Sequence, residues 1–278
     1  MSAVCNGLAL MPKRRLDSVL ADRGLFPSRT RAAASVMAGE VFVGAGKRRA
    51  AKPGEMVGED ELIALAERPR FASRGGVKLR NALDSSAIPV AGRTALDVGA
   101  STGGFTDCLL QAGAGAVVAI DVGYGLLDYA LRSDPRVHVM ERTNARELTR
   151  ELIPDGLVAD LAVIDVSFIS LTKVLAPVLS CLAGGYDVLA LVKPQFEVGR
   201  ANVGKGGVVR DAGDRRAALV AVGESALALG AAVTGYHSSG LPGPKGNRET
   251  FIALADPARG VGTRDARDLD ALAREVEP

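Results

Sequence analysis

Between Thr94 and Val192 short apolar blocks alternate with longer segments of helical pattern, and this alternation restricts the fold more than any other feature of the chain. The blocks Thr94–Gly99, Ala116–Asp121, Val137–Glu141, Leu161–Val166 and Asp187–Val192 read as strands, with helices expected up to Gln111, Arg132, Leu152 and Cys181 after the first four. Strands joined through helices pair in parallel, because each crossover returns the chain to the same end of the sheet. An open, doubly wound α/β sheet follows. A long Ala-rich helix from Arg215 to Leu229, a strand near Ala232–Tyr236 and a last strand at Thr250–Ala255 complete it, and residues 257–278, rich in Arg and Asp, read as a loose surface helix. Ligands of such sheets gather beyond the carboxyl ends of the strands, so chemistry is expected just after each block.

The first 80 residues follow another pattern and carry another charge. Leu16, Val19 and Leu20 recur at helical spacing up to Gly24, Ser28 can cap a second helix running to Gly39, and Val41-Phe42-Val43 begins a set of short strands ending near Leu65. Residues 14–66 thus read as a small basic α/β domain, and 67–76, with Pro, Gly and several Arg in no clear period, as a linker to a second domain at 77–256. The whole chain has a net charge of only +2, yet residues 1–80 hold 15 Lys and Arg against 8 Asp and Glu. A polyanion would dock at that end, with Arg14, Arg15, Arg29, Arg31, Lys47, Arg48, Arg49 and Arg74 as candidate contacts. No apolar run reaches the roughly 18 uncharged residues of a membrane span, since Asp187 and Glu224 interrupt the best stretches. The order of apolar Leu8–Met11 and then Lys13, Arg14 and Arg15 reverses that of a secretory signal, so a cytoplasmic protein is expected. Cys5, Cys108 and Cys181 stand far apart without a CxxC pair, which supports neither a disulfide framework nor a zinc site; they read as one tail thiol and two core residues.

Leu96-Asp97-Val98-Gly99-Ala100-Ser101-Thr102-Gly103-Gly104-Phe105 reads as a strand entering a Gly-rich turn that opens a helix, where backbone can approach a ligand closely. Asp121 ends the next block about 20 residues on, a spacing at which a carboxylate can hold two ribose hydroxyls. A nucleotide-like cofactor is implied. The turn lacks the GxGxxG order of nicotinamide sites, whereas Asp97-x-Gly99-x-x-x-Gly103-Gly104-Phe105 resembles the first motif of class I S-adenosylmethionine methyltransferases. That resemblance makes Asp97, Gly99, Ser101, Thr102, Gly103, Gly104, Phe105 and Asp121 cofactor-binding candidates. Asn144-Ala145, just past the third block, falls where such enzymes hold the adenine.

The ends of the fourth and fifth blocks select the chemistry. Exocyclic-amine methyltransferases present an Asn-Pro-Pro-Tyr type of sequence after the fourth strand, and carbon-5 enzymes need a cysteine nucleophile. Here Asp165 stands with no Cys nearby, so methylation of a base is disfavoured. Lys193, after the fifth block, suggests an amine acting on a hydroxyl. Taken singly, an Asp or Lys at a strand end is more often a surface charge or a cap.

In combination they are specific. The order Lys78, Asp165, Lys193, Glu249 resembles the Lys-Asp-Lys-Glu tetrad of ribose 2′-O-methyltransferases of the FtsJ-like superfamily. Ser73-Arg74-Gly75-Gly76-x-Lys78-Leu79, the Gly-rich turn through Thr106, Asp121-Val-Gly-Tyr-Gly125, Glu141-Arg-Thr-Asn-Ala-Arg146, Ser167-Phe-Ile-Ser170, Lys193-Pro-Gln-Phe-Glu197 and Leu241-Pro-Gly-Pro-x-Gly-Asn247 together resemble the TlyA family, over about residues 14–255. The resemblance implies a Rossmann-like class I methyltransferase sheet behind a small N-terminal α/β RNA-binding domain similar to that of ribosomal small-subunit protein four. It also implies S-adenosyl-L-methionine as cofactor, no metal, the cytidine 2′-hydroxyl of ribosomal RNA as acceptor, ribosomal subunits as partners, and action as a monomer. In that pattern Lys193 orients or deprotonates the hydroxyl and Asp165 and Glu249 anchor the two ammonium groups, while Arg200, Lys205 and Arg210 in the Gly-rich loop after Lys193 read equally as cover for RNA phosphates or as a solvated flexible loop. The chain departs from the pattern in Glu67-Arg68-Pro69-Arg70-Phe71 and in an N-terminal extension before Arg14. Because members also bear hemolysin names, a pore-forming cytolysin and an inactive RNA-binding protein are the competing readings. The first needs an amphipathic or apolar membrane element that is not apparent, and the second would have lost a tetrad member. With 4% aromatic residues, recognition of folded RNA by shape and phosphates is expected rather than a broad stacking platform, and His138 and His237 read as structural.

Overall fold

Leu16, Val19 and Leu20 share one face of helix α1 (Leu16–Asp22) and bury it against Ala32 and Val36 of α2 (Arg29–Met37). The computed structural model to which these elements belong describes residues 12–66, 69–243, 245–263 and 265–277, so Cys5 lies outside the described residues. Its two compact units divide between Arg68 and Pro69. In the first, the Ser28 hydroxyl accepts the Arg31 N–H at 3.2 Å and so satisfies one of the orphan donors that start α2. Strands β1 (Arg14–Arg15), β2 (Val41–Val43), β3 (Arg48–Arg49), β4 (Met56–Val57) and β5 (Ile63–Leu65) complete this unit. β1 pairs with β4, and β2 lies between β3 and β5, all antiparallel.

The second unit is a seven-stranded sheet of β6 (Thr94–Val98), β7 (Ala116–Ile120), β8 (Val137–Met140), β9 (Leu161–Ile164), β10 (Asp187–Val192), β11 (Ala232–Ser238) and β12 (Thr250–Ala255), in the order β11-β12-β10-β9-β6-β7-β8. Alternate strand residues feed opposite cores. Leu96, Val118, Ile164 and Ala190 face α6 (Leu175–Ser180), α8 (Ala212–Ala228) and α9 (Leu269–Val276), while Ala95, Val117, Val163 and Leu189 face α3 (Arg74–Ser86) and α4 (Gly104–Gln111). Burial on both faces explains why these strands read as unbroken apolar runs. From β6 the order runs through β7 to β8 on one side and through β9 to β10 on the other, so the sheet switches direction between β6 and β9.

The structure departs from the expected pattern in several places. β12 runs antiparallel to both β10 and β11, because residues 239–249 return the chain without a helical crossover. Only α5 (Tyr129–Arg132) forms between β7 and β8, since Gly123 and Gly125 break the preceding stretch and Gly125 takes φ +70°. After β8 the expected helix is two 3-10 turns, Ala145–Glu147 and Arg150–Leu152, separated by extended backbone at Leu148 and Thr149. The segment 67–76 is not a free linker over its described part. Phe71 is buried in the second unit's core, the Ala72 N–H donates to Asp107 at 2.8 Å, and Ser73 caps α3. A single aromatic anchor overrode the Pro, Gly and Arg composition. The tail beyond residue 256 is packed as well: Leu269 and Ala273 of α9 are buried, and the buried Glu277 carboxylate accepts from Arg215 Nε at 2.9 Å. Among the described residues no helix is long and apolar enough to cross a membrane.

Candidate active site

Strand register brings three of the four expected tetrad residues to one edge of the sheet. Val192 pairs with Thr250 and Ile164 pairs with both Ala190 and Val98, so Glu249, Lys193, Asp165 and Gly99 stand beside one another at neighbouring strand ends. Lys78 reaches this edge from α3 and forms a buried ion pair with Glu249. Lys193 Nζ lies 2.5 Å from Asp165 Oδ1 and donates to Ser167 Oγ at 2.8 Å. Two Lys–carboxylate pairs are therefore fixed at the carboxyl ends of β9 and β10 and the start of β12. A Cβ on Gly243 would lie 2.2 Å from Glu249 Oε1, which accounts for a glycine in the segment that precedes β12.

The Gly-rich turn abuts the same edge at the switch point. A Cβ on Gly99, whose φ is +91°, would lie 2.4 Å from the Asp165 carbonyl oxygen, so only glycine permits the two backbones to pass. Asp121 braces the turn: its carboxylate accepts the Ser101 N–H at 2.8 Å and the Gly123 N–H at 2.6 Å. Between these elements opens a cleft of about 1080 Å³, lined by Gly99, Ser101, Asp121, Asn144, Ala145 and Asp165 among the expected residues.

Other expected cofactor contacts fall behind the cleft. Gly103 and Gly104 serve packing, since Cβ atoms there would meet Leu131 at 2.3 Å and the Ser73 hydroxyl at 2.1 Å. Phe105 is a core residue, its ring 5.8 Å from that of Phe251, and Thr102 lies on the surface outside the cleft. Asp97 is fully buried; burial pushes its carboxyl up to about 7, against a 2.6 Å bond from the Thr106 hydroxyl, and its Oδ1 has no partner among the described residues. That bond ties the end of β6 to the first turns of α4, next to the Gly-rich turn.

Residues outside the expected set line the cleft too: Thr143, Arg146, Lys173, Gln195 and Phe196, with Phe168 at the rim. Phe168 is 92% exposed at φ +65°, its ring 5.3 Å from that of Phe196. Its position after Ser167 at a strand end was the available signal, which the low aromatic content obscured. Of the expected RNA contacts, Arg14 pairs with Asp22 and Glu59, Arg15 and Arg29 with Asp17, and Arg48 with Glu55. Arg31, Lys47, Arg49, Arg74 and Lys205 are exposed, and for Arg200 only the backbone is described. Among the described residues no group of three or more His, Cys, Asp or Glu could hold a metal ion.

The FtsJ-like methyltransferase family matches residues 71–256. The chain is 49% identical over 245 residues to the 16S/23S rRNA (cytidine-2′-O)-methyltransferase TlyA of Mycobacterium tuberculosis, a match covering 87% of this chain and 90% of that protein. It is 40% identical over 198 residues to hemolysin A of Brachyspira hyodysenteriae, covering 71% of this chain and 81% of that one. A solved structure from Streptococcus thermophilus that bears a hemolysin name superposes with a TM-score of 0.70 at 38% identity, covering 95% of this chain and 96% of the other. With an FtsJ-like match over more than half its length and a TlyA relative at 49% identity, the chain belongs to the TlyA family of FtsJ-like methyltransferases.

Proposed function

We propose that this chain transfers a methyl group from S-adenosylmethionine to the ribose 2′-hydroxyl of cytidine in ribosomal RNA. The observation that carries the reading is the pair of fixed Lys–carboxylate contacts, Lys78–Glu249 and Lys193–Asp165, at the strand edge where the Gly99 turn opens. Family membership supports it, since the M. tuberculosis relative is named for this reaction on 16S and 23S rRNA.

The residues present fit S-adenosylmethionine. The cleft is of ligand size, and Gly99, Ser101, Asp121 and Asn144 bring backbone and polar side-chain groups to its wall. Asp121 retains lone pairs beyond the two backbone N–H groups it already accepts, so it would hold ribose hydroxyls, with Asn144 and Ala145 beside the adenine. When bound, the cofactor supplies an electrophilic sulfonium methyl. What remains for the protein is orientation and the removal of one proton. Lys193, clamped by Asp165 and Ser167, would hold the 2′-hydroxyl in line, and Lys78 would add a second fixed cation at the same edge. Positioning of this kind is worth about 7–11 kcal/mol in well-oriented systems. A ribosomal RNA substrate would put the protein with ribosomes in the cytoplasm.

The reading is tested by incubating the purified chain with ribosomal subunits and labelled S-adenosylmethionine and mapping the modified positions. Label on cytidine 2′-oxygens is expected; label on bases, or none, would overturn it. Asp121→Ala should weaken cofactor binding by about tenfold or more in calorimetric titration, because hydrogen bonds to a charged acceptor are lost. Unchanged affinity in a folded variant would remove Asp121 from the site.

A further inference from the structure

Resting on that reading, we propose that Glu197 is a positioning residue for the methyl transfer: it fastens the loop after β9 to α7 (Pro194–Glu197) and thereby keeps Lys193 on Asp165 and Ser167. Glu197 Oε2 accepts the Ser170 hydroxyl at 2.6 Å, and Oε1 accepts the Leu171 N–H at 2.9 Å. The same two segments touch at Lys193, which reaches Asp165 and Ser167, and at the Phe168 and Phe196 rings. Glu197 closes this seam at the end away from the sheet.

The choice of a carboxylate there needs a reason. Burial pushes the Glu197 carboxyl up, so an ionised group is costly at this position, and the bonds described for it all go to the loop after β9. Two bonds to an ionised acceptor are stronger and better directed than neutral ones. They are placed where firmness is required, because Phe168 holds a left-handed φ that a bulky side chain keeps only when its surroundings fix it. Asp165, Ser167 and Phe168 are all within six residues of the Leu171 amide that Glu197 clasps. A small loosening at that clasp displaces the partners of Lys193, and misplacement of an orienting group costs rate rather than affinity.

The test combines exchange and single-turnover kinetics on the full chain. In Glu197→Ala the Leu171 amide should exchange at least about tenfold faster while β9 and β10 amides are unchanged, and the methyl-transfer rate should fall about tenfold or more with cofactor affinity within about twofold. Glu197→Gln, which keeps one acceptor oxygen, should recover part of the rate. In a Lys193→Ala background Glu197→Ala should cost less than about twofold further, since both changes act on one group. Unchanged Leu171 exchange would overturn the clasp, an unchanged rate would overturn positioning, and an equal loss in the Lys193→Ala background would overturn action through Lys193. Should Glu197→Ala fail to fold, Glu197→Gln and Ser170→Ala carry the same measurements. A wild-type chain that methylates no RNA sinks the functional reading and the rate claim, and Leu171 exchange still decides the clasp.

Discussion

Lys193→Ala is expected to lower the single-turnover rate of methyl transfer by about 10²-fold or more while leaving cofactor and RNA affinities within about twofold. Lys193 is nearly buried and its ammonium is committed to Asp165 at 2.5 Å and Ser167 at 2.8 Å, so the change deletes a fixed orienting group, not a mobile surface charge. The protein should stay folded. Removing one member of a fully buried pair costs about 3–5 kcal/mol, but the Asp165 side chain is 24% exposed and water can take over part of the lost contact. Lys193→Arg should not restore the rate, because a planar guanidinium cannot place a single amine at the same point and does not release its proton. Lys78, Asp165 and Glu249 would act with Lys193 as a unit in the proposed transfer, so double substitutions should cost little more than Lys193→Ala alone. Near-normal methylation by the variant would remove the tetrad from the chemistry and redirect attention to the loop between Glu197 and Arg210.

The parts of this site legible in the sequence are those dictated by strand ends. Asp121, Asp165 and Lys193 each follow an apolar run, and a run buried on both faces is visible without knowing its neighbours. Lys78 and Glu249 were recognisable only as members of an ordered motif, since no local pattern reveals that α3 and β12 bring residues 171 positions apart into one ion pair. The glycines were legible as a turn but not by role. Gly99 lines the cleft and lets the Asp165 backbone pass, whereas Gly103 and Gly104, outside the cleft, make room for Leu131 and Ser73, a distinction set by tertiary packing. Composition misled where one residue decided the outcome: Phe71 docks a segment that otherwise reads as a linker, and Leu269 with Ala273 docks a tail that otherwise reads as loose. Phe168 was legible only as part of the Ser167-Phe-Ile-Ser170 motif, because an exposed aromatic at a strained φ has no signature in periodicity.

Removal of the first unit should lower affinity for ribosomal RNA by about 10²-fold or more near 0.1 M salt and leave cofactor binding within about twofold, because residues 1–68 hold 11 Lys and Arg against 8 Asp and Glu while both large cores draw only on residues after 68. The cut belongs between Arg68 and Pro69; cutting after residue 76 would remove Phe71 and the Ser73 cap from the catalytic unit and confuse loss of binding with loss of fold. A subtler variant separates charge from structure. Each phosphate neutralised contributes about 0.7–0.9 to the slope of log affinity against log salt, so replacing Arg31, Lys47 and Arg49 by Ala should make that slope shallower by roughly two to three. Arg15 and Arg29, which share Asp17, and Arg48, which is held by Glu55, should each change it less when replaced, since an acidic partner already offsets part of their charge. Arg31, Lys47 and Arg49 are exposed, and the folded unit should tolerate their replacement. Full RNA affinity in the trimmed chain, or a salt slope indifferent to Arg31, Lys47 and Arg49, would move the RNA contact to the catalytic unit, where Arg74 and Lys205 are the exposed cations to replace next.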